Sequence, residues 1–84
     1  MSTIKQDKKL LDNFFVAMMG KLRVNRHKKV WTTESLKYLM ERLKEEVKEL
    51  EDIIKTKHYS KIALECTDVA NYAAMIFDKV SLCL

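Results

Sequence analysis

The fold is decided by residues 36–50, which read LKYLMERLKEEVKEL. Apolar residues recur in this stretch at spacings of three and four, the repeat of one face of an α-helix. The same spacing continues through the two isoleucines that follow, so we predict one long helix with a single apolar stripe. The stripe comprises Leu36, Leu39, Met40, Leu43, Val47, Leu50, Ile53 and Ile54.

The same helical spacing extends to both sides of this stretch. It predicts a first helix over residues 4–24 and a third helix over about residues 61 to 82. The central helix is expected to begin after an N-cap at Thr32 or Thr33 and to end near residue 57, with Ser60 as a possible cap of the third helix. Because the link between them is short, the second and third helices should form an antiparallel hairpin.

Length and composition favour a single all-α domain, residues 1–84. The chain contains no proline and one glycine, Gly20, as expected of long helices. A domain of 84 residues has a small core, and such chains commonly gain stability from disulfides, a metal or a partner subunit. The two cysteines, Cys66 and Cys83, lie in one apolar helical stretch without an extracellular spacing pattern. We therefore expect a three-helix chain that forms an oligomeric helical bundle.

The distribution of charge and hydropathy predicts a soluble, cytoplasmic protein. Sixteen basic and twelve acidic residues give a net charge of +4, which can attract polyanions or simply keep the surface soluble. No apolar run reaches the roughly 18 residues that a transmembrane helix needs. The first residues are basic but lack the apolar core of a signal peptide. We therefore expect no membrane partner.

Four acidic residues depart from the amphipathic pattern. On a helical wheel, Glu46 lies roughly 60° from the centre of its stripe, and Glu65 occupies the corresponding place on the third helix. Glu49 and Asp68 each follow three residues later, on the same inner side. Glu45, by contrast, points nearly away from the stripe. In an antiparallel hairpin the two inward pairs can face each other.

Carboxylates brought together in an apolar setting need a counter-charge. Burying one unpaired charge costs several kcal/mol, so the four must either pair with basic side chains or hold a cation. No lysine or arginine lies centrally in the stripe of the second or third helix, which makes a divalent cation the simpler solution. Oxygen ligands suit Mg²⁺, and there is no Cys/His cluster for zinc. The alternative interpretation of each pair, taken alone, is a solvated acidic face.

The two acidic pairs resemble the motif of the MazG-like and dimeric dUTPase-like all-α nucleotide pyrophosphohydrolases. That motif is Glu-Glu-x-x-Glu followed, after a gap, by Glu-x-x-Asp. Here it reads Glu45-Glu46-Val47-Lys48-Glu49 and Glu65-Cys66-Thr67-Asp68. Residues 25–31 and 68–72 are also similar to short, phage-type members, and the likeness covers about residues 25–80.

The resemblance implies a fold, a reaction and a cofactor. It implies a helical bundle that assembles as a dimer or tetramer, with the active site near the interface. The implied reaction is Mg²⁺-dependent cleavage of a ribo- or deoxyribonucleoside triphosphate to the monophosphate and pyrophosphate, with Mn²⁺ as a possible substitute. The location of a phage-encoded member would be the host cytoplasm. The family's metal ligands correspond to Glu46, Glu49, Glu65 and Asp68.

The remaining roles fall on residues near the motif. Glu49 or Glu45 could act catalytically by accepting a proton from the attacking water. Further candidates could bind the substrate: Trp31 by stacking on a base, Asn71 and Tyr72 by contacting sugar or base, and His27 and Lys28 by binding phosphates. Structural alternatives exist for most of them: Trp31 could close the bundle, Tyr72 could belong to the core, and the basic residues of the loop at residues 25–31 could simply be solvated.

Two other functions are compatible with the sequence. A nucleic-acid-binding helical protein would use the positive charge, but the basic residues are spread along the chain and no DNA-binding motif occurs. A non-catalytic helical interaction module would need no Mg²⁺ and would tolerate Glu46→Gln. The enzyme hypothesis predicts instead that this substitution removes most activity.

Overall fold

The computed structural model describes residues 1–25, 31–81 and 83. Three helices account for most of this part of the chain: α1 (Ile4–Val24), α2 (Leu36–Ile54) and α3 (Tyr59–Ser81), with one 3-10 turn at Trp31–Thr33. The described residues contain no strand, so the predicted all-α class is confirmed. His27, Lys28 and the predicted end of the third helix at residue 82 lie outside the described residues.

Helix α1 has the predicted bounds, and both of its ends are stabilised locally. Thr3 Oγ1 accepts a hydrogen bond from the backbone N–H of Gln6 at 3.1 Å, while Gln6 Oε1 accepts one from the backbone N–H of Thr3 at 2.8 Å. This reciprocal capping box satisfies two backbone donors that the helix itself cannot pair. At the other end, Lys21 and Arg23 lie in the last turn, where a positive charge complements the helix dipole.

The start of α2 differs from the prediction. Ser35 is the N-cap, and its Oγ accepts a hydrogen bond from the backbone N–H of Tyr38 at 3.0 Å. Thr32 and Thr33 belong to the 3-10 turn that precedes the cap. All three hydroxyl-bearing residues suit an N-cap, so residue type alone could not choose among them.

Helix α2 ends earlier than predicted because the chain turns sharply after it. The carbonyl of Ile53 accepts two hydrogen bonds from Thr56, one from the backbone N–H at 3.0 Å and one from Oγ1 at 2.7 Å. Lys57 then adopts a left-handed backbone with φ of 61°, a conformation that residues other than glycine seldom take. The helical hydrogen-bond pattern therefore cannot extend to residue 57.

Helix α3 begins earlier than predicted, at Tyr59. The carbonyl of His58 accepts a hydrogen bond from the backbone N–H of Ile62 at 3.0 Å, so the first turn of the helix already includes Ser60. Ser60 is therefore not the cap. The short link, residues 55–58, sets α2 and α3 side by side in the predicted hairpin, and α1 and the 3-10 turn also pack against α3.

Little apolar surface is buried within one chain. Among the described residues, Leu39 is the only fully buried apolar side chain, with 1% exposed. Phe14, Met18 and Leu22 of the α1 stripe are half-buried against the hairpin. Many other large apolar side chains remain exposed, among them Leu10, Leu11, Phe15, Val16, Met40, Val47, Ile54 and Phe77.

The remaining predictions about the class of protein concern cysteines and membranes. Cys66 and Cys83 are both free, as predicted. Within the described ranges, no helix combines the length and the apolar character needed to cross a bilayer.

Candidate metal centre

Three of the four predicted metal ligands meet between α2 and α3. Glu46 and Glu49 on α2 and Glu65 on α3 each offer a carboxylate oxygen, and these oxygens lie within 4.8 Å of one another. Glu46 is buried, with 6% exposed, Glu65 is half-buried and Glu49 is exposed. The carboxylate cluster, as we call these three residues, therefore reaches from the interior of the hairpin to its surface.

Two oxygens of the carboxylate cluster lack a hydrogen-bond donor among the described residues. They are Oε2 of Glu46 and Oε2 of Glu65, and both are buried. A buried carboxylate oxygen without a donor loses its hydration and gains nothing in return. A cation between the two helices would provide the missing counter-charge. The cluster therefore fits a hard divalent cation with oxygen ligands, such as Mg²⁺ or Mn²⁺.

Crowding also changes the acidity of the carboxylate cluster. Burial, followed by the adjacent Glu65 and Glu49, raises the pKa of Glu46 from 4.5 to about 8. Burial likewise raises the pKa of Glu65. Both carboxyl groups are therefore harder to ionise than an ordinary glutamate, and a bound cation would favour their ionised form.

Two basic side chains reach the acidic residues, although no lysine or arginine lies centrally in the stripe of α2 or α3. Arg42 Nη2 donates to Glu46 Oε1 at 3.0 Å, and Arg42 Nη1 pairs with Glu45. Lys21, on α1, lies 3.6 Å from Oδ1 of Asp68. The helical wheels missed both pairs because they considered only the centres of two stripes. Arg42 reaches one turn along its own helix, and Lys21 comes from α1, which lies outside the α2–α3 hairpin.

Glu45 and Asp68 lie outside the carboxylate cluster. Glu45 has a side chain that is 58% exposed and pairs with Arg42. Asp68 follows Glu65 by one turn of α3, but its carboxylate faces Lys21. The structure therefore brings three predicted ligands together and places the fourth beside a lysine.

A cavity of about 830 Å³ adjoins the carboxylate cluster, and Glu46 forms part of its wall. Trp31, Asn71 and Tyr72, three of the predicted substrate-binding residues, also line this cavity. Its volume lies in the range of sites that bind small molecules. We call it the aromatic cavity. The structure thus places two predicted ligands, Glu46 and Asp68, around one cavity with three predicted substrate-binding residues.

Asn71 and Tyr72 have different surroundings in the aromatic cavity. Asn71 is buried, and its Nδ2 donates to the backbone carbonyl of Met18 at 3.4 Å. Its Oδ1 is buried and has no donor within the described part of the chain, and the residue lines the cavity. Tyr72 is half-buried, and its Oη accepts a hydrogen bond from Arg42 Nε at 3.3 Å. The guanidinium carbon lies 5.4 Å from the centre of the tyrosine ring, a cation–π distance.

A second cavity, of about 510 Å³, is lined by Glu49 and Glu65 of the carboxylate cluster together with Lys21 and Lys61. Sequence reasoning did not select Arg42 or Lys61. Both, however, precede a cluster glutamate by four residues, which places them on the same helix face. That i,i+4 spacing to an inward glutamate is the signal that could have identified them.

No protein-family model matches this chain, and no curated protein and no solved structure shows significant similarity to it. Its function must therefore be inferred from the acidic motif and from the geometry of the described residues.

Proposed function

We propose that this chain is a Mg²⁺-dependent nucleoside triphosphate pyrophosphohydrolase of the MazG-like type, which cleaves a (d)NTP to a (d)NMP and pyrophosphate. One observation carries the proposal: three carboxylates converge, two of them have buried oxygens that lack donors among the described residues, and one of the three, Glu46, lines a cavity of about 830 Å³. The acidic motif supports the same conclusion independently, since it resembles that family at these residues.

Glu46, Glu49 and Glu65 hold the metal in this proposal, and Asp68 is a fourth ligand if it separates from Lys21. A bound Mg²⁺ supplies charge neutralisation for the phosphates and lowers the pKa of a water molecule. The glutamates fix where that charge lies, which is the main requirement because phosphoryl transfer depends mostly on positioning and charge stabilisation. Mn²⁺ accepts the same oxygen ligands and can substitute.

Glu49 is the better of the two candidates for accepting the proton of the attacking water. It belongs to the carboxylate cluster and is exposed, so water reaches it directly. Glu45 lies outside the cluster and is paired with Arg42. A general base must lie within hydrogen-bonding reach of the proton that it removes, and this condition favours Glu49.

The aromatic cavity receives the nucleoside. Trp31 provides a ring for stacking on the base, and the unsatisfied Oδ1 of Asn71 accepts a hydrogen bond from the base or sugar. Tyr72 lines the same cavity and contacts Arg42, which in turn pairs with Glu46 of the carboxylate cluster. His27 and Lys28 remain proposed phosphate contacts on the basis of sequence alone.

A second copy of the chain completes the bundle. The exposed apolar side chains of α1 include Leu10, Leu11, Phe15 and Val16, and a single chain buries only one large apolar residue fully among those described. Covering such a face with an identical face stabilises both chains. We therefore propose a homo-oligomer, a dimer or tetramer, which acts in the cytoplasm.

The reaction can be tested with purified protein, Mg²⁺ and a panel of common ribo- and deoxyribonucleoside triphosphates, by measuring pyrophosphate release. Wild type should release pyrophosphate, and Glu65→Gln should reduce the rate by about 100-fold or more, the scale of losing one group that stabilises transition-state charge. Glu51→Gln is the matched control, because this exposed residue of α2 carries the same charge outside the cluster. Absence of pyrophosphate with both Mg²⁺ and Mn²⁺, or equal release by Glu65→Gln, would refute the proposal.

A non-catalytic interaction module is the second candidate, and the exposed apolar faces favour it. Such a module needs no metal, because Arg42 and Lys21 already pair with acidic residues of the site. It predicts that Mn²⁺ does not bind and that Glu65→Gln leaves partner binding unchanged. Metal binding by wild type, lost in Glu65→Gln, would decide against it.

A further inference from the structure

Arg42 lies where the carboxylate cluster meets the aromatic cavity. Its three nitrogen atoms each have a separate partner: Nη2 donates to Glu46 at 3.0 Å, Nε donates to Tyr72 Oη at 3.3 Å, and Nη1 pairs with Glu45. The side chain is 31% exposed and lines the cavity. One guanidinium thus joins a proposed metal ligand to a proposed substrate-binding residue.

The contact with Glu46 competes with metal binding. Arg42 occupies Oε1 of Glu46, whereas Oε2 of the same carboxylate has no donor among the described residues. A divalent cation held by Glu46, Glu49 and Glu65 would add two positive charges close to the guanidinium. Like charges at such distances in a partly buried site repel strongly. Occupation by metal therefore weakens the Arg42–Glu46 pair.

A guanidinium displaced from Glu46 remains at the wall of the aromatic cavity, because Tyr72 holds it through a hydrogen bond and a cation–π contact. The planar fork of arginine matches phosphate oxygens with two parallel hydrogen bonds. A triphosphate bound next to the carboxylate cluster would bring such oxygens within reach. The same side chain can thus neutralise a carboxylate in one state and a phosphate in the other.

We propose that Arg42 is an exchangeable counter-cation of this site: it pairs with Glu46 in the metal-free chain and binds substrate phosphate once a divalent cation has replaced it. This inference rests on the proposed function for the identity of the substrate. It adds a residue that the acidic motif does not contain. It also predicts that loss of Arg42 strengthens metal binding and weakens triphosphate binding.

The first test is a calorimetric titration of Mn²⁺ into the 84-residue chain without nucleotide. Arg42→Gln should bind Mn²⁺ about 10-fold more tightly than wild type, because the competing charge is lost while a hydrogen-bond donor remains. Arg42→Lys retains the charge and should bind Mn²⁺ as wild type does. Lys8→Gln is the matched control, because Lys8 is exposed and pairs with Asp12 on α1. Lys8 lies about 20 Å along the helix from Lys21, the α1 residue that pairs with Asp68.

The second test uses inorganic triphosphate, a probe without a base, at saturating Mn²⁺. Arg42→Gln and Arg42→Lys should both bind it about 10-fold more weakly, because neither provides the guanidinium fork. Lys8→Gln should match wild type. If Arg42→Gln does not fold, Arg42→Lys decides: unchanged Mn²⁺ affinity with weakened triphosphate binding supports the inference.

The possible failures are distinguishable. If wild type does not bind Mn²⁺, the proposed function fails and the inference fails with it. If wild type binds Mn²⁺ but folded Arg42→Gln binds it equally or more weakly, the inference alone is wrong. Triphosphate binding that is the same in wild type and in Arg42→Lys would also overturn the inference and leave the metal site intact.

Discussion

The interior of the α2–α3 hairpin and the outer face of α1 reverse the usual distribution of polarity. In the hairpin, Glu46 is 6% exposed, next to the carboxylates of Glu49 and Glu65. On α1, the apolar side chains of Leu11 and Phe15 are 65% and 63% exposed. Buried carboxylates and an exposed apolar stripe are both unfavourable in an isolated chain. Each region would therefore be stabilised by a binding partner: a cation in the hairpin, and a second apolar surface on α1.

The two regions differ in the conditions that would stabilise them. The hairpin needs positive charge, so its stability should depend on pH and on divalent cations. The α1 face needs apolar surface, so its behaviour should depend on protein concentration. The two requirements can be separated by substitutions that alter one region and leave the other unchanged.

The largest expected effect concerns Glu46 and pH. Its pKa is about 8 in the folded, metal-free chain, above the ordinary value of 4.5. The folded state therefore binds more protons than the unfolded state between these values, and stability falls as pH rises through them. The free energy of unfolding of wild type should fall by about 3 to 5 kcal/mol between pH 4.5 and pH 8.5. Glu46→Gln cannot ionise at this position, so it should not show this loss. Urea unfolding with a chelator present, at constant protein concentration, measures it.

Glu51→Gln serves as the control for this measurement and should retain the wild-type dependence on pH, because Glu51 is exposed on α2. Mn²⁺ added at pH 8.5 should stabilise wild type more than it stabilises Glu46→Gln. An identical dependence on pH in wild type and Glu46→Gln would show that the cluster does not strain the hairpin.

The second effect concerns Phe15 and self-association. A lysine at this exposed apolar position removes a contact worth about 2 to 3 kcal/mol and adds a charge to the interface. Phe15→Lys should therefore raise the dissociation constant of the oligomer by about 100-fold, as measured by sedimentation over a range of concentrations. Asn13→Lys adds the same charge at an exposed polar position of α1 and should change the constant much less. A wild-type chain that stays monomeric at micromolar concentration would contradict the expected interface.

The smallest effect distinguishes Asp68 from the carboxylate cluster. Because Asp68 faces Lys21 in the structure, Asp68→Asn should weaken Mn²⁺ binding by about 10-fold, the lower end of the range for loss of an outer contact. Glu65→Gln removes a cluster ligand and should weaken binding considerably more. Equal losses in the two variants, measured by calorimetry, would show that Asp68 is a full ligand, as the family motif implies.

The periodicity of the sequence was sufficient to predict the helices and the inward position of Glu46 and Glu65, whereas Glu49, predicted on the same inner side, is exposed. Local hydrogen bonds explain the errors at the ends of helices: Ser35 caps α2, and Thr56 together with the left-handed Lys57 ends it. Helix periodicity reports which face is apolar, but it does not report which of several hydroxyl-bearing residues will cap.

The contacts of the candidate site were only partly predictable. A helical wheel treats each helix separately and places Glu46 and Glu65 inward, and they meet because α2 and α3 form a hairpin. It does not show that Lys21 of α1 approaches Asp68, because that pair depends on how α1 packs against α3. Nor does a stripe indicate whether its apolar side chains are buried within one chain or by a second copy.

The short link between α2 and α3 also determines the order in which the molecule forms. Residues 55–58 join helices that are adjacent in the chain, so the contacts between them close a small loop and cost little chain entropy. Structures dominated by such local contacts fold in microseconds to milliseconds. Pairing of the α1 faces in the proposed oligomer would instead require the collision of two chains and would become slower on dilution. The carboxylate cluster is therefore complete in each newly folded chain before that chain meets another, and a cation can enter it without a pre-formed assembly.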